Sequence, residues 1–210
     1  MYHKNAKKYF ESPFYAVFRT FFADFSSQVS NSGGEDISFS ELERQALAAS
    51  PFKSFINPDS SEFFHAGDIP LRICEYCKST NQPVPTTKGE IMRCIYESLA
   101  LKYRYTKEKI EIQVAKTYDS INVVGGGIKD GLLSQFTANA TGVKVIAGPA
   151  EAAALGNIAV QLIAAGKIRN IKEARKIIAN STPLQIYIPT ETENWNSAYE
   201  KFIEIIKKPL

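Results

Sequence analysis

The stretch from Ser120 to Gly166 constrains the fold of this chain more than any other. Ser120-Ile121-Asn122-Val123-Val124 is short, apolar and β-branched, which suits a buried strand. Gly125-Gly126-Gly127 follows, then a helical pattern over 130–140 that stops at Thr141-Gly142. Residues 143–147 read as a second strand. Gly148-Pro149 then turns the chain into a small-residue helix over 150–165, closed by Gly166. Strand, helix, strand, helix in this order predicts a parallel βαβ unit packed on both faces, hence an α/β fold. A helix over 171–180, an edge strand over 185–188 and a terminal helix over 194–207 complete the pattern.

Helical segments precede this unit. Ser40-Glu41-Leu42-Glu43 has the form of a capping box and predicts a helix ending before Pro51. Asn57-Pro58-Asp59 is a turn, and Asp68 is placed to cap a helix over 69–79 with Pro70 in its first turn. Thr87-Lys88-Gly89-Glu90 is a second capping box, opening the longest helix, to about residue 115. Ile91, Ile95, Ser98, Leu99 and Lys102 trace one face of it, with Tyr105 and Ile112 beyond. Residues 1–34 differ from the rest. Tyr2, Tyr9, Phe10, Phe14, Tyr15, Phe18, Phe21, Phe22 and Phe25 crowd its start, and the later ones follow helical spacing, predicting a helix over 13–27. Its apolar face would need a cover, by self-association or a partner chain. Ser30-Asn31-Ser32-Gly33-Gly34 reads as a linker, so the domain proper spans 35–210.

The net charge of +3 is too small to point to nucleic acid or an anionic membrane. No apolar run approaches the span of a bilayer and no secretion signal opens the chain, so a cytoplasmic location is expected. The 3 cysteines, Cys74, Cys77 and Cys94, are too few for a disulfide scaffold. Zinc would want four ligands, and only Cys94 and His65 lie anywhere near the Cys74–Cys77 pair. A redox CxxC normally sits where a strand enters a helix, whereas this one lies inside a helical pattern. A bond between Cys77 and Cys94 across the Pro-rich turn is conceivable; buried thiols are the expectation.

Glycines between a strand and a helix let a bulky ligand approach the backbone, and the following helix favours phosphate at its N-terminus. The triplet by itself also serves as a plain strand-to-helix turn. A dinucleotide fingerprint needs a third glycine where Asp130 stands and an acid at the end of the second strand, where the chain has Ala147-Gly148. No Gly-Lys-Ser/Thr follows the triplet, so a Walker loop is absent too. An NAD-type oxidoreductase is therefore a distant reading.

The wider segment is more specific. Val123-Val124-Gly125-Gly126-Gly127-Ile128-Lys129-Asp130-Gly131-Leu132-Leu133-Ser134-Gln135 leads through Thr137-Ala138-Asn139-Ala140-Thr141-Gly142 to Val145-Ile146-Ala147-Gly148-Pro149-Ala150-Glu151-Ala152-Ala153-Ala154-Leu155-Gly156-Asn157. This resembles the C-terminal lobe of the FGGY carbohydrate kinases, and within that family its rhamnulokinase branch. Ile56-Asn57-Pro58-Asp59, Gln82-Pro83-Val84-Pro85 and Glu97-Ser98-Leu99-Ala100-Leu101-Lys102-Tyr103 carry the same resemblance, which runs from about Ile37 to Pro189.

The resemblance implies an actin-like, ribonuclease-H-like fold in which two lobes close over ATP and a sugar. It implies ATP-dependent phosphorylation of L-rhamnulose to L-rhamnulose 1-phosphate, with Mg²⁺. Gly126 would contact the nucleotide, with Gly125 and Gly127 shaping the turn. Asp130 stands where relatives carry Asn; it can accept a hydrogen bond from ribose or adenine and would repel a phosphate. Gln135, Glu151, Gly156 and Asn157 are expected to serve the helices: Gln135 in packing, Glu151 at a positive helix end, and Gly156 in an approach of its helix to the sheet. In this family the sugar pocket, the Asp base, a Gly-Thr-Trp hairpin and much of the phosphate and metal site come from earlier sequence. The chain is thus expected to be the later, nucleotide-binding part of a kinase, with no catalytic or metal residue of its own, inactive alone and meeting a sugar only with the missing lobe. A non-enzymatic remnant that self-associates through its aromatic segment is the alternative.

Overall fold

The computed structural model describes residues 38–64 and 67–207. The helix expected over 13–27 and the linker at 30–34 lie outside these residues. The described chain forms two compact units, one of residues up to Lys102 together with those from Ser197 on, the other of Tyr103–Asn196.

In the first unit, helix α1 (Phe39–Ala48) begins two residues earlier than the expected capping box. Ser38 is its N-cap, and the Glu41 amide donates to Ser38 Oγ at 3.2 Å. Ser-x-x-Glu occurs here in two overlapping frames, and the extended backbone at Ser38 (φ −66°, ψ 154°) selects the first. The Glu41 carboxylate turns forward to Arg44 at 2.6 and 2.7 Å and to Gln45 at 2.8 Å. Helix α2 (Ile69–Ser79) is capped by Asp68, whose carboxylate accepts from the Leu71 amide at 3.2 Å, with Pro70 in the first turn. Helix α3 (Lys88–Val114) opens with the expected reciprocal box. The Glu90 amide donates to Thr87 Oγ1 at 3.2 Å, and Glu90 Oε2 accepts from the Thr87 amide at 3.3 Å.

The expected stripe on α3 is too narrow. Met92, Cys94, Tyr96, Ala100 and Leu101 are buried along with Ile91, Ile95, Ser98 and Leu99, so the helix is wrapped almost all round. Further along, Ile112 is 75% exposed and does not continue the face. The start of α3 lies hard against α1: a methyl on Gly89 would stand 2.5 Å from the Gln45 carbonyl oxygen. Backbone cannot yield as a flexible side chain can, so Gly89→Ala is expected to destabilise the chain by about 1–3 kcal/mol, read as a lower urea midpoint.

The irregular stretch between α1 and α2 is tied down by side chains, because buried amides need partners. The Phe52 amide donates to Glu97 Oε2 at 2.8 Å, Phe55 to Gln82 Oε1 at 2.8 Å and Ile56 to Ser98 Oγ at 2.9 Å. Lys102 pairs with Asp59 at 2.7 Å. All three cysteines are free thiols, Cys77 and Cys94 buried and Cys74 half-buried. The Cys77 and Cys94 thiols lie close enough to perturb one another, and no disulfide joins them.

The second unit carries a three-stranded sheet in the order β1 (Ser120–Val123), β2 (Lys144–Ala147), β3 (Gln185–Tyr187). The β1–β2 pair is parallel with Ile121 opposite Val145, and helix α4 (Gly131–Thr141) is the crossover, ended by Gly142 as expected. β3 pairs antiparallel with β2, Tyr187 opposite Val145. One face of the sheet is a core: Val145, Ala147 and Tyr187 close on Ala138 of α4, with Ile121, Val123 and Ile128 against them.

The other face departs from expectation. Ile186 and Ile188 are 56% and 58% exposed. Helix α5 (Ala152–Ala164) packs chiefly against α6 (Ile171–Ser181), and only Ala159 of α5 is buried. A methyl on Gly156 would meet nothing within 4 Å, so that glycine does not serve a close approach to the sheet. Helix α7 (Thr192–Lys207) closes the chain, giving Trp195 to the second unit, edge-on to Phe136 at 5.2 Å, and Phe202 to the first.

Candidate functional site

Because β1 and β2 are parallel, the loops that leave them lie at the same end of the sheet, the carboxyl end where open α/β sheets offer a crevice. The first loop holds the glycine triplet. Val124 is extended (φ −132°, ψ 161°), and Gly125 then takes φ +77°, a left-handed conformation open to glycine at little cost. Gly125–Lys129 winds into a short 3₁₀ turn that delivers the chain to α4. Of the three glycines, Gly126 is exposed while Gly125 and Gly127 are half-buried. Gly126 thus presents exposed backbone and carries no side chain of its own.

Asp130 stands at the far end of the turn and is 6% exposed. Its Oδ1 accepts from the Leu133 amide at 2.8 Å, and its own amide donates to the Gly127 carbonyl at 3.3 Å. It therefore caps α4 and holds the end of the glycine turn. The carboxylate takes the place at the helix terminus that a phosphate would otherwise favour.

The second loop was legible only as a turn, yet it is bonded to the first. The Gly148 amide donates to the Val123 carbonyl at 2.9 Å and the Gly125 amide to the Pro149 carbonyl at 3.1 Å. Glu151 follows at the N-cap position of α5 and is exposed, making no capping bond. Gln135 lies one turn along α4 and bridges Asn139 Oδ1 at 2.7 Å and the Ile188 carbonyl at 2.8 Å, the packing role expected of it. Asn157 is exposed. Among the described residues no group of three or more His, Cys, Asp or Glu side chains would hold a metal ion. No described helix is long and apolar enough to cross a membrane.

The first unit holds a cavity of about 160 Å³ beside Lys53, Pro85, Glu90, Arg93, Cys94 and Glu97. Its charges pair among themselves, Lys53 with Glu90 at 3.0 Å and Arg93 with Glu97 at 2.7 Å. The glycine turn, with its bare backbone at a strand end, is the better candidate for a ligand.

Comparison with protein families matches residues 16–165 to the C-terminal domain of the FGGY family of carbohydrate kinases. The chain belongs to that family. The FGGY match opens inside the aromatic stretch and closes at the end of α5. A rhamnulokinase of Bacteroides thetaiotaomicron is 41% identical over 172 residues, 82% of this chain and 36% of that protein. A rhamnulokinase of Bacillus subtilis is 35% identical over 175 residues, 83% of this chain and 36% of that one. The chain thus spans about a third of the length of these FGGY relatives. Among solved structures, gluconate kinase from Lactobacillus acidophilus superposes with a TM-score of 0.59 at 16% identity, covering 82% of this chain and 35% of the other. Xylulose kinase from Rhodospirillum rubrum gives 0.58 at 14%, covering 90% and 36%. The fold is that of the FGGY kinases' actin-like, ribonuclease-H-like ATPase lobe.

Proposed function

We propose that this chain is the ATP-binding portion of a rhamnulokinase-type sugar kinase, taking nucleotide against Gly126. The observation that carries the reading is the exposed, side-chain-free backbone of Gly126 at the carboxyl end of two parallel strands, in a chain of the FGGY family. The relatives named above are rhamnulokinases, which supports L-rhamnulose as the sugar and its 1-phosphate as the product. Phosphoryl transfer is dominated by positioning and charge stabilisation, and this lobe's share is to place the nucleotide. Gly125 and Gly127 set the turn, and Asp130 fixes its exit by capping α4. A carboxylate at that helix end suits contact with a ribose or adenine better than with a phosphate. Mg²⁺ is the metal that accompanies ATP in this chemistry. Among the described residues no group of three or more His, Cys, Asp or Glu side chains would hold it.

Titration calorimetry of the chain with ATP and Mg²⁺ tests the reading. Binding is expected, and Gly126→Val, which puts a branched side chain on the open backbone, is expected to weaken it at least about tenfold, roughly 1.4 kcal/mol. Equal affinity of the two proteins would remove Gly126 from the site. In an assay with ATP and L-rhamnulose the isolated chain is expected to release no ADP above background.

A further inference from the structure

We infer that the loop after β2, Gly148-Pro149, positions the glycine turn, and that Gly148 thereby sets nucleotide affinity. This rests on the nucleotide-binding reading above. The two bonds that join the loops, from the Gly148 amide to Val123 and from the Gly125 amide to Pro149, bracket Val124. The residue that enters the glycine turn is thus pinned on both sides by a loop about 25 residues further along the chain.

Gly148 is itself held from the opposite direction. It is buried, with φ +130°, a conformation that residues with a Cβ rarely adopt. A methyl there would stand 3.0 Å from Leu184 Cδ2 and 3.1 Å from the Pro183 carbonyl oxygen. Those residues lead into β3, whose pairing of Gln185 with Ala147 fixes their height beside the loop. A side chain at 148 must therefore move the loop, and the hydrogen bonds to Val123 and Gly125 carry that movement into the turn. A binding backbone needs placement within about 0.5 Å, so a small shift is enough to be felt in affinity. Gly148 acts through Gly125 and Gly126 and needs no contact with the ligand.

The test uses the full chain labelled with ¹⁵N-glycine, whose 12 glycines keep the amide spectrum sparse. Gly148→Ala is expected to shift the resonances of Gly125, Gly126 and Gly127 before any nucleotide is added. It is also expected to weaken ATP binding about tenfold by calorimetry. In the Gly148→Ala/Leu184→Ala double variant the nearest contact is gone, and part of the affinity should return. Should Gly148→Ala fail to fold, the Gly148→Ala/Leu184→Ala variant serves for both measurements, with smaller resonance shifts and a smaller loss of affinity expected. Unmoved triplet resonances in a folded variant overturn the inference, as does unchanged affinity where the wild type binds ATP. Absence of ATP binding by the wild type defeats the nucleotide reading instead, and the resonance shifts then still decide whether Gly148 positions the turn.

Discussion

Arg93→Ala is expected to lower the unfolding free energy by about 3–5 kcal/mol at about pH 8.5, and by less below neutrality. The Arg93 guanidinium joins two structures at once. Its Nε donates to Glu97 Oε1 at 2.7 Å, and its Nη1 donates to the carbonyls of Ala46, Leu47 and Ala49 at 3.2, 3.2 and 3.3 Å. Those carbonyls lie at the C-terminal end of α1 and its cap, where helix carbonyls run out of amide donors; Ala46 alone also accepts from the Ala49 amide, at 3.3 Å. Removing Arg93 takes a donor from all three and leaves the carboxylate of Glu97, which is 1% exposed, without its counter-ion. Burial pushes Glu97 from its ordinary 4.5 up to about 7, against the pull of Arg93 and the Phe52 amide. At about pH 8.5 the stranded carboxylate must stay ionised or take up a proton, and either costs free energy. At about pH 6 Glu97 is already mostly protonated, and the variant loses chiefly the carbonyl bonds, about 1–3 kcal/mol.

The same group gives the wild type a pH dependence with a definite sign. The folded pKa of Glu97 lies above the unfolded one, so its contribution is complete below about pH 4.5 and is lost as pH rises through about 7. Glu97→Gln keeps the shape of the side chain and removes the titration. Urea unfolding at intervals from about pH 5 to pH 8 should show the wild type losing stability relative to this variant. Parallel curves would mean that Glu97 ionises as it does in the unfolded chain.

Phe202→Ala is the second large effect, about 3–5 kcal/mol. Phe202 is 0% exposed and stands edge-on to Phe55, ring centres 6.3 Å apart. Its loss removes an aromatic pair as well as opening a cavity. Glu204→Ala, two residues on and exposed, should change stability by less than about 0.5 kcal/mol. A Phe202 variant that unfolds at the wild-type urea concentration would show that α7 does not anchor the first unit.

What was legible in the sequence was local. Apolar β-branched runs bounded by glycine gave β1 and β2, Gly142 gave the end of α4, and Thr87 with Glu90 gave the start of α3. Each depends on neighbours within a few residues. What escaped depends on residues brought together from afar. The wrapping of α3 hides in a helix whose buried positions include Glu97, a charged residue off the expected face whose partner at Phe52 lies far back in the chain. The course of α5 was misjudged because small residues fit either a sheet or a neighbouring helix. The candidate site was half legible. The triplet announces itself, whereas Gly148 looks like any turn glycine until its bond to Val123 and its crowding by Leu184 are seen.

The stretch between α1 and α2 takes its shape from elsewhere. Phe52, Phe55 and Ile56 receive their amide partners from Glu97, Gln82 and Ser98, 45, 27 and 42 positions away. On their own residues 52–56 have no repeating hydrogen-bond pattern to fall back on, so their order should arrive late in folding, after α3 has formed and Gln82 has docked. Their amides should then exchange with solvent as slowly as those of a long helix, although they belong to a loop. A change at Gln82 or Ser98 would be recorded first in the mobility of residues far along the chain.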